Sequence, residues 1–315
     1  MSTEAVFYVS GNWVPASSAF VHVFDSGLMY GDTVTETLRT FKRRPYEVEK
    51  HIARLRSSLR LARIDLDSQL ELRELIEELV ERNRNVFDPD DELLLKVDVT
   101  RGVFAYYREP GENYSDFNLI MHVIRLPFYR FAGNYDDGIA VSFPLTRQMS
   151  PQSLDPRIKH RSRIFQAIAE REANDVDPGS VALLLDTDGR LAEGTGWNLF
   201  LAREGRLLTP SSDNCLEGVS RGVIIELCSE LGIECFEKGL WPFDLMIADE
   251  AFATATSYCI QPITRAQGRQ IGIGRPGPLT GRLLAAWSAR TGVNIADQAR
   301  TRAAVQEASR LVRID

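Results

Sequence analysis

The sequence predicts an α+β fold divided into two domains, and three observations support this prediction. The chain has 315 residues, and a domain typically has about 150. Hydrophobic residues make up 44% of the chain and charged residues 26%, which is the composition of an ordinary globular protein. Strand-like and helix-like segments are intermixed without the regular strand–helix repeat of a dinucleotide-binding fold.

The first half of the chain predicts a small α/β domain at residues 1–126. It opens with a hairpin around Ser10-Gly11, followed by strands at 36–41 and 46–48 on either side of Lys42-Arg43-Arg44. Two helices follow, and strands at 93–100 and 118–126 close the domain. The apolar residues at helical spacing are Ile52, Leu55, Leu59 and Ala62 in the first helix, and Leu72, Leu75, Ile76 and Leu79 in the second.

The second half predicts a larger domain at residues 139–315, in which helices surround mixed β-structure. Residues 127–138 are rich in Gly, Asn, Asp and aromatic residues without periodicity, which indicates an interdomain linker. Strands are predicted at 139–145, 181–185, 197–202, 233–236, 251–256 and 269–273. Helices are predicted at 163–174, with Ile164, Phe165, Ile168 and Ala169 as the apolar face, at 220–231, and twice near the end.

Charge and composition exclude several classes of function. With 37 basic and 44 acidic residues the net charge is −7, which argues against nucleic acid as the main partner. No apolar run approaches the roughly 18 residues of a membrane span, and the N-terminus lacks the pattern of a signal peptide. Four cysteines without a CxxC pair favour reduced thiols and a cytoplasmic location. The four histidines form no metal-binding motif, so no metal is predicted.

Two short motifs match common signatures but lack the required context. Residues 272–277 match GxGxxG, yet Pro276 and Pro278 remove backbone donors, and a plain turn is expected. Residues 218–222 match GxSxG around Ser220, but no histidine follows His160 to act as the base. A serine hydrolase is therefore excluded. Since Ser220 begins a predicted helix, its residue type alone favours a role as the helix cap.

Several segments, all in one order, resemble motifs of the class IV aminotransferases, which are pyridoxal-phosphate (PLP) enzymes of fold type IV. Residues 25–39 resemble their YGDxVxET segment, and residues 51–55 are similar to their HxxRL helix. Residues 193–200 resemble EGxGxNxF, and residues 216–221 resemble LxGxTR. The closing part of the family is matched at 248–252, 256–262 and 274–280, so the resemblance covers roughly residues 5–290.

The resemblance implies that Lys159 forms the Schiff base with the cofactor and then moves a proton between substrate and cofactor. Residue chemistry alone leaves Lys159 and Lys96 as alternatives, because Lys96 lies in an apolar strand. We expect the neighbouring cations His160, Arg161 and Arg163 to lower the pKa of the Lys159 amine.

The resemblance also implies a set of cofactor-binding residues. An acid at Glu193 would hold the proton on the cofactor ring nitrogen, and Leu216 would lie against one face of the ring. The phosphate would bind at the start of a helix and to Arg54, although Arg54 points away from the apolar stripe of its own helix, which normally indicates solvent exposure. The implied cofactor-binding residues are Arg54, Glu193, Leu216, Val219, Ser220, Thr256 and Ser257.

The family's active site lies at a dimer interface, so the resemblance implies a homodimer with a shared site. The implied substrate-binding residues are Tyr30, Thr35, Arg39, Arg101, Arg108 and Tyr258. The implied pocket also includes Thr37, Tyr106, Tyr107, Ser257 and Cys259. For Tyr106 and Tyr107, ordinary packing or loop surface is an equal alternative.

The motifs depart from each subgroup of the family, so the substrate stays open. Thr35, Thr37 and Ile164 stand where branched-chain enzymes have Phe, Gly and Tyr. The PRxH carboxylate trap of the D-amino-acid enzymes is absent after residues 100–102. Residues 159–163 are partly similar to the KHLNR string of aminodeoxychorismate lyases, and Trp197 resembles the aromatic residue of (R)-amine transaminases.

The sequence therefore predicts a cytoplasmic, homodimeric PLP aminotransferase. It would move an amino group between an amino acid or primary amine and a 2-oxo acid. The alternatives are an aminodeoxychorismate lyase, which breaks a C–O bond with PLP, and a non-catalytic relative with the same fold.

Overall fold

The structure is a computed structural model that describes residues 4–112 and 114–311, with side chains up to residue 308. It confirms the α+β class and forms two compact units. Unit 1 holds the described residues up to Leu126 together with Ile158–Arg163, and unit 2 holds Pro127–Arg157 and the described residues from Ile164 onward. Residues 1–3 and 312–315, at the ends of the two predicted domains, lie outside the described residues.

Unit 1 is built on an antiparallel sheet of six strands in the order β2-β1-β6-β5-β3-β4. Helix α2 contacts β3, and helix α3 contacts β1 and β6. The elements of unit 1 are β1 (Val6–Val9), β2 (Asn12–Pro15), α1 (Ser26–Tyr30), β3 (Thr33–Phe41), β4 (Arg44–Pro45), α2 (Val48–Ala62), α3 (Leu72–Arg82), β5 (Leu93–Thr100) and β6 (Asn118–Arg125).

The apolar stripes predicted for α2 and α3 account for the packing of both helices. Ile52, Leu55 and Leu59 are buried, as are Leu72, Ile76 and Leu79. The strand predicted at 46–48 is wrong, because Lys42 and Arg43 turn the chain in left-handed conformations and leave a return strand of two residues. Helix α2 then begins at Val48.

The segment Ile158–Arg163 groups with unit 1, although the sequence places it in the second domain. It runs antiparallel to the first residues of β3 and extends that edge of the sheet. The N–H of Thr35 donates to the carbonyl of Lys159 (2.8 Å), and the N–H of Arg161 donates to the carbonyl of Thr33 (3.0 Å). Sheet hydrogen bonds between residues far apart in the sequence thus place Lys159 in unit 1.

Unit 2 contains nine strands, six of which close into a ring because β9 pairs with both β8 and β10. The ring order is β10-β13-β14-β7-β8-β9, and its interior is apolar. The elements of unit 2 are α4 (Asn134–Asp137), β7 (Ile139–Ser142), α5 (Ile164–Val176), β8 (Val181–Leu185), β9 (Leu191–Gly194), β10 (Asn198–Arg203), β11 (Arg206–Thr209), α6 (Val219–Leu231), β12 (Cys235–Glu237), α7 (Pro242–Met246), β13 (Glu250–Ala255), β14 (Cys259–Ala266), β15 (Arg269–Gln270), α8 (Pro278–Thr291) and α9 (Ile295–Leu311).

Two segments of unit 2 differ from the sequence-based expectation. The segment proposed as a linker, 127–138, has a short 3₁₀ helix and α4, and its aromatic residues Phe128, Phe131 and Tyr135 are buried. Helix α5 packs on β8 through the small residues Ala169 and Ala173, so the predicted apolar positions Ile164 and Ile168 are 78% and 47% exposed. None of the helices in the described part of the chain is long and apolar enough to cross a membrane.

Candidate active site

The backbone of Lys159 is held on both sides in unit 1. Its N–H donates to Oγ of Ser58 on α2 (3.1 Å), and its carbonyl accepts from Thr35 on β3. Since a helix and a strand each supply one partner, the position at which the Lys159 side chain leaves the backbone is fixed.

The Lys159 amine lies in a buried, cation-rich part of unit 1. Burial is the main reason why its pKa falls from 10.5 to about 7, with Arg54 as the next cause. Arg163 and Lys96 act in the same direction, and Glu36 opposes them. At neutral pH the Lys159 amine is therefore uncharged in a large share of the molecules, and the uncharged amine is the form that attacks a carbonyl group.

The cations expected to lower this pKa are only partly the ones that do so. Arg163 contributes, but Arg161 is neutralised by Asp98, to which its Nε and Nη2 donate at 2.8 and 3.0 Å. His160 is itself uncharged at neutral pH, because burial, Arg163 and Lys159 lower its pKa to about 4. Sequence proximity to Lys159 therefore overstated the roles of Arg161 and His160.

A buried acid, Glu36, orients Arg54. Nε and Nη2 of Arg54 donate to the two carboxylate oxygens of Glu36 at 2.7 and 2.8 Å, and Nδ1 of His51 lies 2.8 Å from the same carboxylate. Burial would raise the pKa of Glu36, but Arg54 and His51 outweigh it and hold that pKa well below its ordinary value. The side chain of Arg54 is only 11% exposed, so the solvent exposure that the helical wheel indicated is wrong.

The three arginines predicted to bind substrate have partners inside unit 1. Arg39 is buried, with Nε donating to the carbonyl of Thr40 and the guanidinium 3.9 Å above the ring of Phe41. Arg101 pairs with Asp32 and donates to the carbonyls of residues 62 and 63 at the end of α2. These contacts favour a structural role for both residues.

Arg108 is likewise engaged within its own loop. Its Nε donates to the carbonyl of Val103 (2.9 Å), and Nη1 donates to Asp116 (2.9 Å). The neighbouring tyrosines differ, because the ring of Tyr107 stacks on Phe24 at 4.5 Å whereas Tyr106 is 83% exposed. Ordinary packing therefore accounts for Tyr107 and not for Tyr106.

Two other predicted pocket residues of unit 1 keep unused surface or bonding capacity. Tyr30 ends α1 and is 58% exposed, with its ring 5.0 Å from that of Phe104. Thr35 on β3 is buried, and its hydroxyl has no hydrogen-bond partner among the residues that the structure describes. Thr37, two residues along the same strand, accepts a hydrogen bond from Lys96 (2.8 Å).

In unit 2, Glu193 lies near the end of β9 and is held by three donors. The side-chain amides of Gln148 (2.8 Å) and Asn198 (3.2 Å) and the N–H of Leu216 (3.0 Å) donate to its carboxylate. Asn198 also donates to the carbonyl of Leu216, which ties the two motifs together. The following Gly194 has no room for a side chain, because a Cβ there would collide with Trp197.

Helix α6 presents its N-terminus close to this cluster in the same unit. Gly218 is the cap residue, it has no side chain to cap the helix, and a Cβ there would collide with Asn198. Val219 and Ser220 are the first two residues of the helix, so the expectation that Ser220 caps it is wrong. The N–H groups in the first turn of a helix attract anions such as phosphate.

The turn between β13 and β14 contains Thr256, Ser257 and Tyr258. The turn is closed by Cys259, which has a left-handed backbone conformation, with φ 63°, and accepts a hydrogen bond from Thr254 (2.6 Å). The ring of Tyr258 packs against the apolar core of unit 2, and burial, followed by Glu170, raises its pKa. Tyr258 therefore contributes packing, and Thr256, Ser257 and Tyr258 are all partly exposed.

Several polar partners of the site were missed from the sequence. Glu36 and Asn198 stand inside recognised motifs. Glu36 also lies two residues after Val34, so both side chains share one face of the strand, and this spacing was an available sign that Glu36 is buried. Gln148 and Asp98 carry no such signal, since their partners are 45 and 63 residues away. Among the described residues no group of three His, Cys, Asp or Glu side chains could hold a metal ion.

Comparison with known proteins places these residues in a family. Residues 33–266 match the profile of the amino-transferase class IV family. Branched-chain-amino-acid aminotransferase-like protein 2 of Arabidopsis thaliana is 30% identical over 92% of this chain and 51% of its own length. The D-alanine aminotransferase of Bacillus licheniformis is 30% identical over 86% of this chain and 92% of its own. The chain thus spans about half the length of the Arabidopsis relative.

Solved structures of the same kind share the fold. The Escherichia coli branched-chain amino acid aminotransferase is 28% identical, with a TM-score of 0.82 over 91% of this chain and 94% of its own. The T.th. branched-chain amino acid aminotransferase with pyridoxamine 5'-phosphate is 26% identical, with a TM-score of 0.81 over 92% and 95%. By its sequence and its fold, this chain belongs to the class IV aminotransferase family.

Proposed function

We propose that this protein is a PLP-dependent transaminase that moves an amino group between an amino acid or primary amine and a 2-oxo acid. The observation that carries the proposal is the buried Lys159 amine, whose pKa of about 7 keeps much of it uncharged at neutral pH. Family membership supports the reaction type, and the pyridoxamine 5'-phosphate in the T.th. relative supports the cofactor.

The donors in each unit fit such a cofactor. Lys159 supplies an amine, Arg54 supplies an oriented cation, and the first turn of α6 supplies N–H groups around a cap residue that carries no side chain. Ser220 adds a hydroxyl in that turn. When bound, PLP supplies an aldehyde that reacts with amines and a ring that accepts electrons from the substrate α-carbon.

Lys159 would carry out the proton transfers. With PLP bound, the uncharged Lys159 amine would accept the proton that leaves the substrate α-carbon, and the resulting ammonium would donate that proton to the cofactor. A pKa near the operating pH suits both steps, because the same group must accept the proton and then give it up. The fixed backbone of Lys159 limits where Nζ can move.

The remaining residues would hold the cofactor. Glu193, fixed by its three donors, would keep a proton on the ring nitrogen, and Leu216 would cover one face of the ring. Arg54, with Glu36 setting its direction, would bind the phosphate. The predicted phosphate ligands in unit 2 are Val219, Ser220, Thr256 and Ser257.

The proposal includes a homodimer that shares the site. Unit 1 exposes large apolar residues on the 20–30 segment and the 104–106 loop, which a monomer would leave in water. These residues, named here the apolar patch, are Phe20, Val23, Leu28, Met29, Tyr30, Phe104 and Tyr106.

The test is a half-reaction screen on protein reconstituted with PLP. L-amino acids, D-amino acids and (R)-amines are mixed with the protein in turn, and loss of the visible absorbance of the bound cofactor is recorded. We expect at least one donor class to react with the wild type and none with Lys159→Ala. Pyruvate release from aminodeoxychorismate without any 2-oxo acid would identify a lyase instead, and a protein that never takes up PLP would contradict the proposal.

A further inference from the structure

The turn between β9 and β10, residues 194–197, joins two residues of the candidate site. Glu193 and Asn198 lie directly opposite each other on the two strands, one at each end of this turn. The N–H of Gly194 donates to the carbonyl of Trp197 (2.9 Å), which closes the turn. Two of its four residues are glycines, which have more backbone freedom than any other residue. A contact that holds the turn therefore also limits the movement of Glu193.

Glu170 on helix α5 makes such a contact with Thr195, which lies inside the turn. The hydroxyl of Thr195 donates to Oε1 of Glu170, and the N–H of Ala182 on β8 donates to Oε2 (3.2 Å). Glu170 follows Ala169, which belongs to the apolar contact between α5 and β8, so the helix that carries this carboxylate is itself fixed. Because hydrogen bonds to a carboxylate are stronger than those between neutral groups, Glu170 restrains the turn effectively.

The same carboxylate lies near the other turn of unit 2 that carries predicted site residues. After burial, Glu170 is the next cause that raises the pKa of Tyr258, in the turn between β13 and β14. The predicted phosphate ligands Thr256 and Ser257 immediately precede Tyr258. Glu170 thus stands beside both turns, although it is not itself among the predicted cofactor-binding or substrate-binding residues.

The family motifs do not require the contact between Glu170 and Thr195. Position 195 is a variable position of the EGxGxNxF motif, and Glu170 lies outside every segment that resembles the family. The contact is therefore a feature of this chain that its motifs alone do not reveal.

We propose that Glu170 and Thr195 are positioning residues: their contact holds the turn at residues 194–197, and thereby keeps the Glu193 carboxylate directed at the ring nitrogen of the cofactor. The proposal rests on the proposed transaminase function and on the role given there to Glu193. Without the contact the glycine-rich turn samples more conformations, and the carboxylate is aligned for a smaller share of the time.

The experiment compares wild type with three variants of the contact and one control. Thr195→Val removes the hydroxyl and keeps the branched shape, Thr195→Ser keeps the hydroxyl, and Glu170→Gln leaves an amide that accepts at one atom only. The control is Thr264→Val, which removes a hydroxyl that donates to the carbonyl of Asp137 (2.9 Å) elsewhere in unit 2. Hydrogen exchange across residues 193–198 is measured by mass spectrometry on the full chain without PLP.

We expect exchange in this segment to be faster by about 10-fold in Thr195→Val and Glu170→Gln, and unchanged in Thr195→Ser and Thr264→Val. In protein loaded with PLP, Thr195→Val should slow the half-reaction at saturating donor by about 10-fold, and Thr195→Ser should restore it. Because the contact acts through Glu193, Thr195→Val should have no further effect when Glu193→Gln is already present.

Unchanged exchange in Thr195→Val overturns the contact, whether or not any donor reacts. Faster exchange with an unaltered half-reaction, or with an equal loss in the Glu193→Gln background, shows that the contact only stabilises the fold and overturns the positioning role. A wild type that reacts with no donor contradicts the proposed transaminase function itself, and the positioning role falls with it.

Discussion

Burial and the cations around Lys159 oppose protonation of its amine, and this makes stability depend on pH. The pKa falls from 10.5 to about 7 on folding, so the unfolded chain binds more protons than the folded chain between these two pH values. The contribution of Lys159 to stability therefore rises with pH across that window. Below about pH 7 the amine is charged in both states, and the full cost of the buried charge is present.

Replacing this amine should stabilise the protein without cofactor. We expect Lys159→Met to be more stable than wild type at about pH 6 by an amount on the order of 1–3 kcal/mol, with the difference shrinking towards about pH 10. Urea unfolding at several pH values measures it, with Lys50→Met, which removes one charge from an exposed ion pair with Glu47 in the same unit, as the control. A difference that does not change with pH would show that burial of this charge is not the cause.

Glu36 is the second residue whose charge matters, because it pairs with Arg54 and His51 inside unit 1. Glu36→Gln leaves the Arg54 guanidinium partly buried without its carboxylate, so we expect a loss of about 3 kcal/mol in unfolding free energy and weaker retention of PLP. Glu49→Gln, which breaks an exposed pair with Arg73, should cost no more than about 1 kcal/mol. Similar losses in the two variants would contradict the structural role of Glu36.

At the scale of elements, the start of helix α6 depends on a glycine that leaves room for Asn198. In Gly218→Ala the new Cβ would collide with that side chain, disturb its bond to Glu193 and shift the first turn of the helix. We expect loss of PLP affinity by about 10-fold or more, since phosphate contacts of this kind are worth roughly 1–3 kcal/mol.

A matched control for this prediction lies in the same helix. Gly222 has open space around its Cβ position, so Gly222→Ala should raise stability by about 0.5–1 kcal/mol and leave PLP affinity unchanged. Fluorescence titration with PLP compares the two variants. Equal affinity in both would mean that the Gly218 turn does not contact the cofactor.

The positions of several helices and strands can be predicted well from the sequence. The bounds predicted for α6, β5 and β8 lie within one residue of those in the structure, and the apolar stripes predicted for the first two helices lie inside α2 and α3, because these elements have clear apolar faces. Periodicity missed β14 (Cys259–Ala266), in which Pro262 and a bulge at Ile263–Arg265 interrupt the pattern of an ordinary strand. It also missed β9, whose four residues are too short for a pattern.

The candidate site shows a similar division. Local resemblance proposes Lys159, Glu193 and Arg54 as site residues, and the structure gives each a buried or oriented setting. Their partners were not found, because hydrogen bonds such as Gln148 to Glu193 join positions that only the folded chain brings together. The partners of Arg39 and Arg101 were not found for the same reason, since sequence does not reveal that their guanidinium groups are already engaged.

For the whole molecule, the apolar patch predicts association. Phe20 is 78% and Leu28 66% exposed, so Phe20→Glu combined with Leu28→Glu should convert a dimer into a monomer and lower activity. Phe243→Glu, at a residue of unit 2 that is 68% exposed, is the control and should leave the dimer intact. Light scattering gives the mass of each variant. A monomeric wild type, or a double variant that stays dimeric, would refute this interface.

Lys159 is the proposed carrier of the cofactor, and Lys96 is the internal alternative, since its pKa is also lowered, to about 8, mainly by burial. Sodium borohydride converts a lysine–PLP linkage into a stable bond, and peptide mass spectrometry then locates the added mass. We expect the added mass on Lys159 in the wild type and no added mass in Lys159→Arg. Mass on Lys96, or a reduced protein with no added mass, would contradict it.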